Sequence, residues 1–136
     1  MADLDFALLA EFARTDSAGL LTLVGGGFDR VQASGPGLVQ QMFVVMRVHL
    51  NNDEKTVGFE VRVVPPGDST FKIRVSGVTS VQRQDEPPTG GHAVVTVVGL
   101  GIPINTEGRY MVQVFIEGSL VRELPFAVDF ATSTAS

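Results

Sequence analysis

The sequence predicts an all-β protein, an antiparallel β-sandwich of about seven to nine strands. Apolar and polar residues alternate over several short stretches, which is typical of strands whose successive side chains point to opposite faces. Turn residues separate these stretches at fairly regular spacing, and the chain holds 15 glycines and 7 prolines. Short alternating segments separated by turn residues in this way favour a sandwich.

The clearest element is a β-hairpin near the end of the chain. Its first strand alternates from Tyr110 to Glu117, and residues 117–119 (EGS), with Gly118 at the centre, can supply the positive φ that a tight hairpin turn requires. Tyr110 lies just after Gly108, which predicts a tyrosine corner, in which the phenol hydroxyl bonds to a loop backbone group. Gly108, Tyr110 and Gly118 are therefore predicted to be structural residues, with a catalytic or ligand-stacking Tyr110 as the alternative.

The N-terminal segment predicts a second hairpin. Residues 4–14 alternate as a strand does, although their alanine and leucine content would also suit a helix. Residues 16–19 (DSAG) are a turn signal, and residues 20–24 (LLTLV) are a short strand candidate. Because of these neighbours, strand, turn and strand is the simpler interpretation.

A glycine triplet, Gly25, Gly26 and Gly27, follows this hairpin and precedes Asp29 and Arg30. The backbone N–H groups of such a triplet could hold a phosphate, but a phosphate loop continues into a helix with a lysine at a set position. The chain here continues as FDRVQASGPG, so we favour a tight crossover at which only glycine fits, with Gly25 as its structural residue. Gly26, Gly27, Asp29 and Arg30 are the candidate ligand-binding residues.

Four further strands are predicted in the middle of the chain. Residues 42–50, 57–64 and 71–76 alternate as strands do, and residues 93–104 form a fourth strand candidate. The last run is apolar on both faces, and Gly99 and Gly101 predict that a bend or bulge interrupts it. Residues 82–91 (QRQDEPPTGG) are the least apolar stretch and predict a mobile surface loop.

The end of the chain sets the expected domain boundary. Pro125 predicts a break or an edge in the last strand, because proline cannot donate to the hydrogen-bond ladder. Residues 131–136 (ATSTAS) are too small and polar to pack, and predict a flexible tail. Residues 1–130 are therefore predicted to form one sandwich domain.

The composition argues against several kinds of site and partner. The chain has no cysteine, which excludes disulfides and thiolate sites and suits a reducing compartment. Its net charge is −5 with dispersed charges, whereas a nucleic-acid partner would select a basic stripe. No apolar run reaches the roughly 18 residues of a membrane helix. Asp3 and Asp5 stand where a secretory signal would carry lysine or arginine. We expect a cytoplasmic protein without a membrane span or nucleic-acid partner.

Residues that could carry catalysis are scattered. His49 and His92 form no spaced metal-binding pair, and a hydrolase using either would need a nucleophile or metal ligand within reach. The acidic pairs at 53–54 and 85–86 lack the spacing of a calcium loop, and no serine lies in a G-x-S-x-G motif. We therefore predict no enzyme activity, no metal and no cofactor.

Three segments together resemble a family of small bacterial proteins of unknown function. They are LDFALLAEFART, LLTLVGGGFDRV and EGRYMVQVFIEGSLVRELPFAV. Members open with a similar L-D-F-A-x-L-A segment, continue to a G-G-G-F-D-like corner and close on a G-x-Y…L-P hairpin. The resemblance covers most of the chain except residues 51–91. It implies an immunoglobulin-like sandwich, and it transfers neither a catalytic residue nor a ligand.

The outer strand faces are more apolar than faces that meet water should be. Apolar residues on these second faces include Phe43, Val45, Met111 and Phe115, with others in the runs 4–14 and 93–104. We therefore predict a non-catalytic protein that acts through protein–protein contacts, as a homo-oligomer or an accessory subunit. The other explanation is that the N-terminal hairpin or long loops cover these faces internally.

Small-ligand binding is the alternative function. Its site would lie at residues 25–29 (GGGFD), which we call the glycine corner, with residues 82–91 at the mouth of the site. Such a site should be concave and apolar with convergent polar groups, whereas an interaction surface should be flat and apolar.

Overall fold

The computed structural model describes residues 2–51, 55–67, 72–80 and 91–131, and these residues form ten β-strands and no helix. The strands are β1 (Asp3–Ala10), β2 (Phe12–Thr15), β3 (Leu21–Val24), β4 (Arg30–Ala33), β5 (Leu38–Leu50), β6 (Thr56–Val64), β7 (Ile73–Ser80), β8 (His92–Ile104), β9 (Gly108–Ile116) and β10 (Ser119–Phe130). The all-β prediction is confirmed. This part of the chain accordingly has no helix that is long and apolar enough to cross a membrane.

Two sheets pack face to face, and a two-stranded hairpin lies outside them. The three-stranded sheet has the order β1-β5-β8, the five-stranded sheet has the order β4-β10-β9-β6-β7, and the hairpin is β2-β3. Alternate residues of both sheets form one buried core, which includes Met42, Val44, Met46, Val48, Val61, Val63, Val112, Val114 and Phe126. The two sheets are also joined at one edge, where the Thr96 hydroxyl donates to Oγ1 of Thr79 at 2.7 Å.

The strand count exceeds the predicted range for two reasons. The predicted first strand is divided at Glu11 into β1, which pairs with β5, and β2, which forms the predicted hairpin with β3. Strand β4 is short and pairs in parallel with the end of β10, from Arg30–Ala127 to Ala33–Phe130. Four residues alternate too briefly to indicate a strand in the sequence, and their partner is about a hundred residues away.

The predicted interruption at Gly99 and Gly101 is wrong. Strand β8 is continuous, and its register with β5 is unbroken from Leu50–His92 to Leu38–Ile104. A Cβ on Gly99 would lie 3.3 Å from Cε2 of Phe43, so the missing side chain leaves room for the Phe43 ring. Here glycine makes room for a neighbouring side chain and does not interrupt the strand.

Pro125 lies within a continuous strand, opposite Met111 of β9. Strand β4 pairs only with residues 127–130 of β10, so Pro125 removes no hydrogen bond to β4 and occupies an edge, one of the two outcomes predicted. The predictions for residues 52–54, for Phe71, for 82–90 and for the tail residues 132–136 fall outside the described residues, as does the acidic pair at 85–86.

Candidate functional site

The glycine corner packs against the chain itself. Gly25 and Gly27 have φ of 63° and 83°, a conformation in which L side chains are strained. The N–H of Gly27 donates to the carbonyl of Leu9 at 2.7 Å. A Cβ on Gly25 would lie 2.6 Å from Cδ of Glu11, and one on Gly26 would lie 2.5 Å from Cδ1 of Leu23. The triplet therefore makes close contacts with β3 and the end of β1.

Asp29 and Arg30 lie beyond this corner, at the start of β4. The carbonyl of Asp29 accepts a 2.8 Å hydrogen bond from the N–H of Ala127, and the guanidinium of Arg30 pairs with the carboxylate of Asp129. Both residues line a shallow depression of about 310 Å³, together with Arg109, Pro125, Phe126 and Ala127. The structure thus brings together two of the four candidate ligand-binding residues, and Gly26 and Gly27 do not line the depression.

The N-terminal hairpin covers part of the outer face of the three-stranded sheet. Ala13 of β2 and Val45 of β5 are buried in a second apolar cluster, separate from the main core. The other members of this cluster are Ala10, Phe6, Leu8, Leu21, Leu23, Phe43, Val95 and Val97. For Val45, covering by the N-terminal hairpin is therefore the explanation that the structure supports.

Beside the hairpin, the same sheet face remains open. Phe12 stands edge-on to Phe43, with ring centroids 5.6 Å apart, and Phe12 is 46% exposed. Val24, which pairs with Phe12, is 56% exposed, and Val39 is 58% exposed. Gly99 lies beside Phe43 and Gly101 beside Val39, so β8 adds no side chain there. We call Phe12, Val24, Val39, Phe43, Gly99 and Gly101 the outer apolar patch.

The outer face of the five-stranded sheet is polar by comparison. Oε1 of Glu60 accepts a 2.8 Å hydrogen bond from Nε of Arg74, and its other oxygen pairs with Arg62. Partial desolvation raises the pKa of Glu60, but the hydrogen bonds and charges of the two arginines outweigh it and lower the pKa below 4.5. The guanidinium of Arg62 also lies 4.3 Å from the ring centroid of Phe115, so this outer phenylalanine is covered by a cation.

The two histidines lie on neighbouring strands but on opposite faces. His49 pairs with Ala93, and His92 pairs with Leu50, whose side chain lies in the core. Because successive side chains of a strand alternate, His49 and His92 point away from each other. The described residues contain no group of three or more His, Cys, Asp or Glu side chains that could hold a metal ion.

A deeper cavity lies between the two sheets at one end, and sequence reasoning missed it. It has a volume of about 420 Å³. Its walls come from the end of β6, the start of β7, the end of β8 and the start of β9, and are formed by Val63, Pro65, Pro66, Lys72, Ile73, Ile102, Pro103, Asn105, Thr106 and Tyr110. No local motif joins these segments, and only the paired prolines and the position of Tyr110 could have drawn attention to them. We call this space the end cavity.

Tyr110 is one of the residues that line the end cavity. Its hydroxyl donates a 2.9 Å hydrogen bond to the carbonyl of Thr106, and its ring is stacked on Phe126 with centroids 5.1 Å apart. Gly108, with φ of 132°, allows Pro66 to approach, because a Cβ on Gly108 would lie 2.9 Å from Cβ of Pro66.

The fold and these sites define a small all-β protein of two packed sheets, with an open apolar patch and a cavity between the sheets. The sequence profile of DUF6941, a family of unknown function, matches residues 5–129, and the chain belongs to this family. The resemblance to a family of unknown function is confirmed at this level. A search of curated proteins finds no match.

Among solved structures, the chain is similar to the alkylpurine DNA glycosylase AlkC of Pseudomonas fluorescens, bound to DNA containing an abasic site analog. The identity is 9% and the TM-score is 0.38. The alignment covers 90% of this chain and 30% of the glycosylase, so the chain spans less than a third of that protein's length. A similarity at this level supports no inference about either fold or function.

Proposed function

We propose that this protein is a non-catalytic β-sandwich that acts through protein–protein contacts, and that two copies associate through the outer apolar patch. The observation that carries the proposal is the set of apolar side chains left exposed here: Val24 and Phe12 beside Phe43, and Val39 further along β5, beyond the exposed Gln41. Clustered exposed apolar surface is typical of association sites. The exposed glycines of β8 would let a second backbone approach closely.

A second copy is the occupant that the chemistry of the patch favours. The chain carries a net charge of −5, so two copies repel each other at most orientations. None of the six patch residues is charged, and an apolar surface can pack against itself. In a twofold-symmetric dimer the same patch on each subunit forms both halves of the interface.

The non-catalytic part of the proposal is supported by how polar side chains are distributed. His49 and His92 lie on opposite faces of one sheet, and the described residues include no buried polar or charged residue. Catalytic acids and bases are usually held in desolvated positions with a specific charged partner. Glu60 has such partners, but it lies on the outer face of a sheet and not in the end cavity.

Small-ligand binding at the glycine corner is the second candidate function. Asp29, Arg30 and Arg109 supply polar groups beside the corner. Arg30 is already paired with Asp129, and the depression is shallower than the end cavity. This arrangement has less of the concave apolar character expected of a ligand pocket.

Light scattering during size-exclusion chromatography, across a dilution series, tests the self-association. We expect a mass of twice the 14.5 kDa of one chain at the higher concentrations. Val39→Glu should give a single-chain mass, because it places a carboxylate in the interface of an already acidic protein. Val78→Glu is the matched control, since Val78 is an exposed valine on β7, outside the patch. A single-chain mass of the unmodified protein at every concentration would overturn the proposal.

A further inference from the structure

We propose that the end cavity binds a small monoanion with an apolar body, such as a fatty or aromatic carboxylate, and that Lys72 binds its charged group. This proposal goes beyond self-association and rests on other residues: no lining residue of the cavity belongs to the outer apolar patch, although Pro103 pairs with Val39.

The walls of the cavity suit an apolar body. Six of the lining residues are aliphatic or proline: Val63, Pro65, Pro66, Ile73, Ile102 and Pro103. The volume of about 420 Å³ falls in the range of about 300–1,000 Å³ that is typical of small-molecule sites. Three of the six are prolines, which have no N–H group to leave unsatisfied when an apolar molecule displaces water.

The cavity is held open by contacts that do not involve a ligand. The hydrogen bond from Tyr110 to Thr106 fixes the loop after β8, and stacking on Phe126 fixes the ring. Pro66 is placed by its close approach to Gly108 on the other side. A site whose walls are already ordered loses little conformational entropy when it binds, which favours affinity for a small ligand.

The charge in the cavity favours an anion. Lys72 is the only charged side chain among the lining residues that the structure describes. Its backbone is anchored, because its N–H donates to the carbonyl of Val63 at 2.9 Å. The Lys72 side chain is exposed to solvent and forms no ion pair within the described part of the chain, so no protein carboxylate there competes with a ligand for its charge. The amide of Asn105 and the hydroxyl of Thr106 lie in the same lining and can supply further hydrogen bonds.

One ammonium group matches one negative charge. A carboxylate requires a single cation and a few donors, whereas a phosphate dianion is usually bound by several cations or by a row of backbone N–H groups. The aliphatic walls would contact the remainder of the molecule. We therefore infer a monocarboxylate and not a sugar phosphate or nucleotide.

Isoleucine methyl groups give a direct test. The chain has four isoleucines, of which Ile73 and Ile102 line the cavity and Ile104 and Ile116 do not. We propose titrating δ1-methyl-labelled protein with octanoate, and separately with octan-1-ol and octylamine, while following the four methyl signals by NMR. Octanoate should shift the signals of Ile73 and Ile102 in a saturable way and leave the other two nearly unchanged.

The variant Lys72→Met separates the charge from the shape of the site. Methionine keeps an unbranched side chain, so octan-1-ol should bind the variant as it binds the unmodified protein. Octanoate should bind about tenfold more weakly, the effect of losing one charged hydrogen bond. Unchanged signals of Ile104 and Ile116 would show that the variant remains folded.

Three results would overturn the proposal. The first is that octanoate does not shift Ile73 and Ile102. The second is that Lys72→Met binds octanoate as tightly as the unmodified protein does. The third is that octylamine binds as well as octanoate, which would show that the cavity does not select a negative charge.

Discussion

Val39 and Val45 project from the same face of strand β5, but Val45 is fully buried whereas Val39 is 58% exposed. The difference arises because the β2–β3 hairpin packs over Val45 and stops short of Val39. On this face the hairpin covers the strand at Val45 and leaves it open at Val39, which is part of the proposed interface.

This division predicts different costs for two equivalent substitutions. Val45→Ala should lower the free energy of unfolding by about 2 kcal/mol, because it removes two buried methyl groups and leaves a cavity. Val39→Ala should change it by less than about 0.5 kcal/mol, as is usual at exposed positions. Urea denaturation at one low protein concentration measures both. Equal effects of the two variants would mean that the hairpin does not cover Val45 in solution.

Removing the hydroxyl of Tyr110 should destabilise the fold. Tyr110→Phe keeps the ring stacked on Phe126 but leaves the carbonyl of Thr106 without its 2.9 Å hydrogen bond. We expect a loss of about 1–2 kcal/mol in the free energy of unfolding, with an unchanged denaturant slope. The control is Phe12→Tyr, which changes one ring hydroxyl at a partly exposed ring and should leave the free energy of unfolding nearly unchanged. Phe126→Tyr could not serve as the control, because the Phe126 ring is buried. A loss below about 0.3 kcal/mol would show that water replaces the Tyr110 bond at no cost.

The turn between β9 and β10 requires a left-handed backbone at two consecutive residues. Glu117 has φ of 49° and Gly118 has φ of 81°, as in the primed turns of two-residue hairpins. A Cβ on Gly118 would meet nothing within 4 Å, so the cost of Gly118→Ala is conformational and should be about 1 kcal/mol. Gly118→Asn should cost about half as much, because asparagine tolerates this region better. The same urea denaturation, with Ser119→Ala as the control, measures the free energy of unfolding. It should be highest for the unmodified protein, lower for Gly118→Asn and lowest for Gly118→Ala. A Gly118→Ala variant as stable as the unmodified protein would contradict the prediction.

Glu60 should make stability depend on pH in the acid range. Its pKa is lowered in the folded protein, with Arg62 and Arg74 outweighing desolvation, so the unfolded chain takes up the proton first as pH falls. The stabilisation from this carboxylate is present above the ordinary pKa of 4.5 and is lost as pH falls through the lowered value. Unfolding midpoints of the unmodified protein and of Glu60→Gln, compared from about pH 7 to about pH 3, should therefore converge at the acid end. A gap between the two that stays constant with pH would rule out this contribution.

Much of the fold could be predicted from local patterns. The alternation of apolar residues located the strands around Val44, Val61 and Val112. Any strand with one face in a core has apolar residues at every second position, so the sequence alone shows the pattern. The turn at Gly118 was predictable because a positive φ restricts the choice of residue. The predicted interruption at Gly99 and Gly101 was wrong, because a glycine in a strand can mark either a bend or a position where a neighbouring side chain occupies the space.

The alternation of apolar residues and the placement of turns by themselves determined the all-β class, most strand positions and the apolar character of the outer faces. Only the tertiary structure decided which part of those faces is covered, that Arg30 pairs with Asp129, and that four separated segments enclose a cavity beside Lys72. The physical reason is that burial constrains each residue through its own side chain and leaves a local pattern. Pairing between distant segments depends on the path of the whole chain, and a few residues of parallel strand or cavity wall leave no periodic signal.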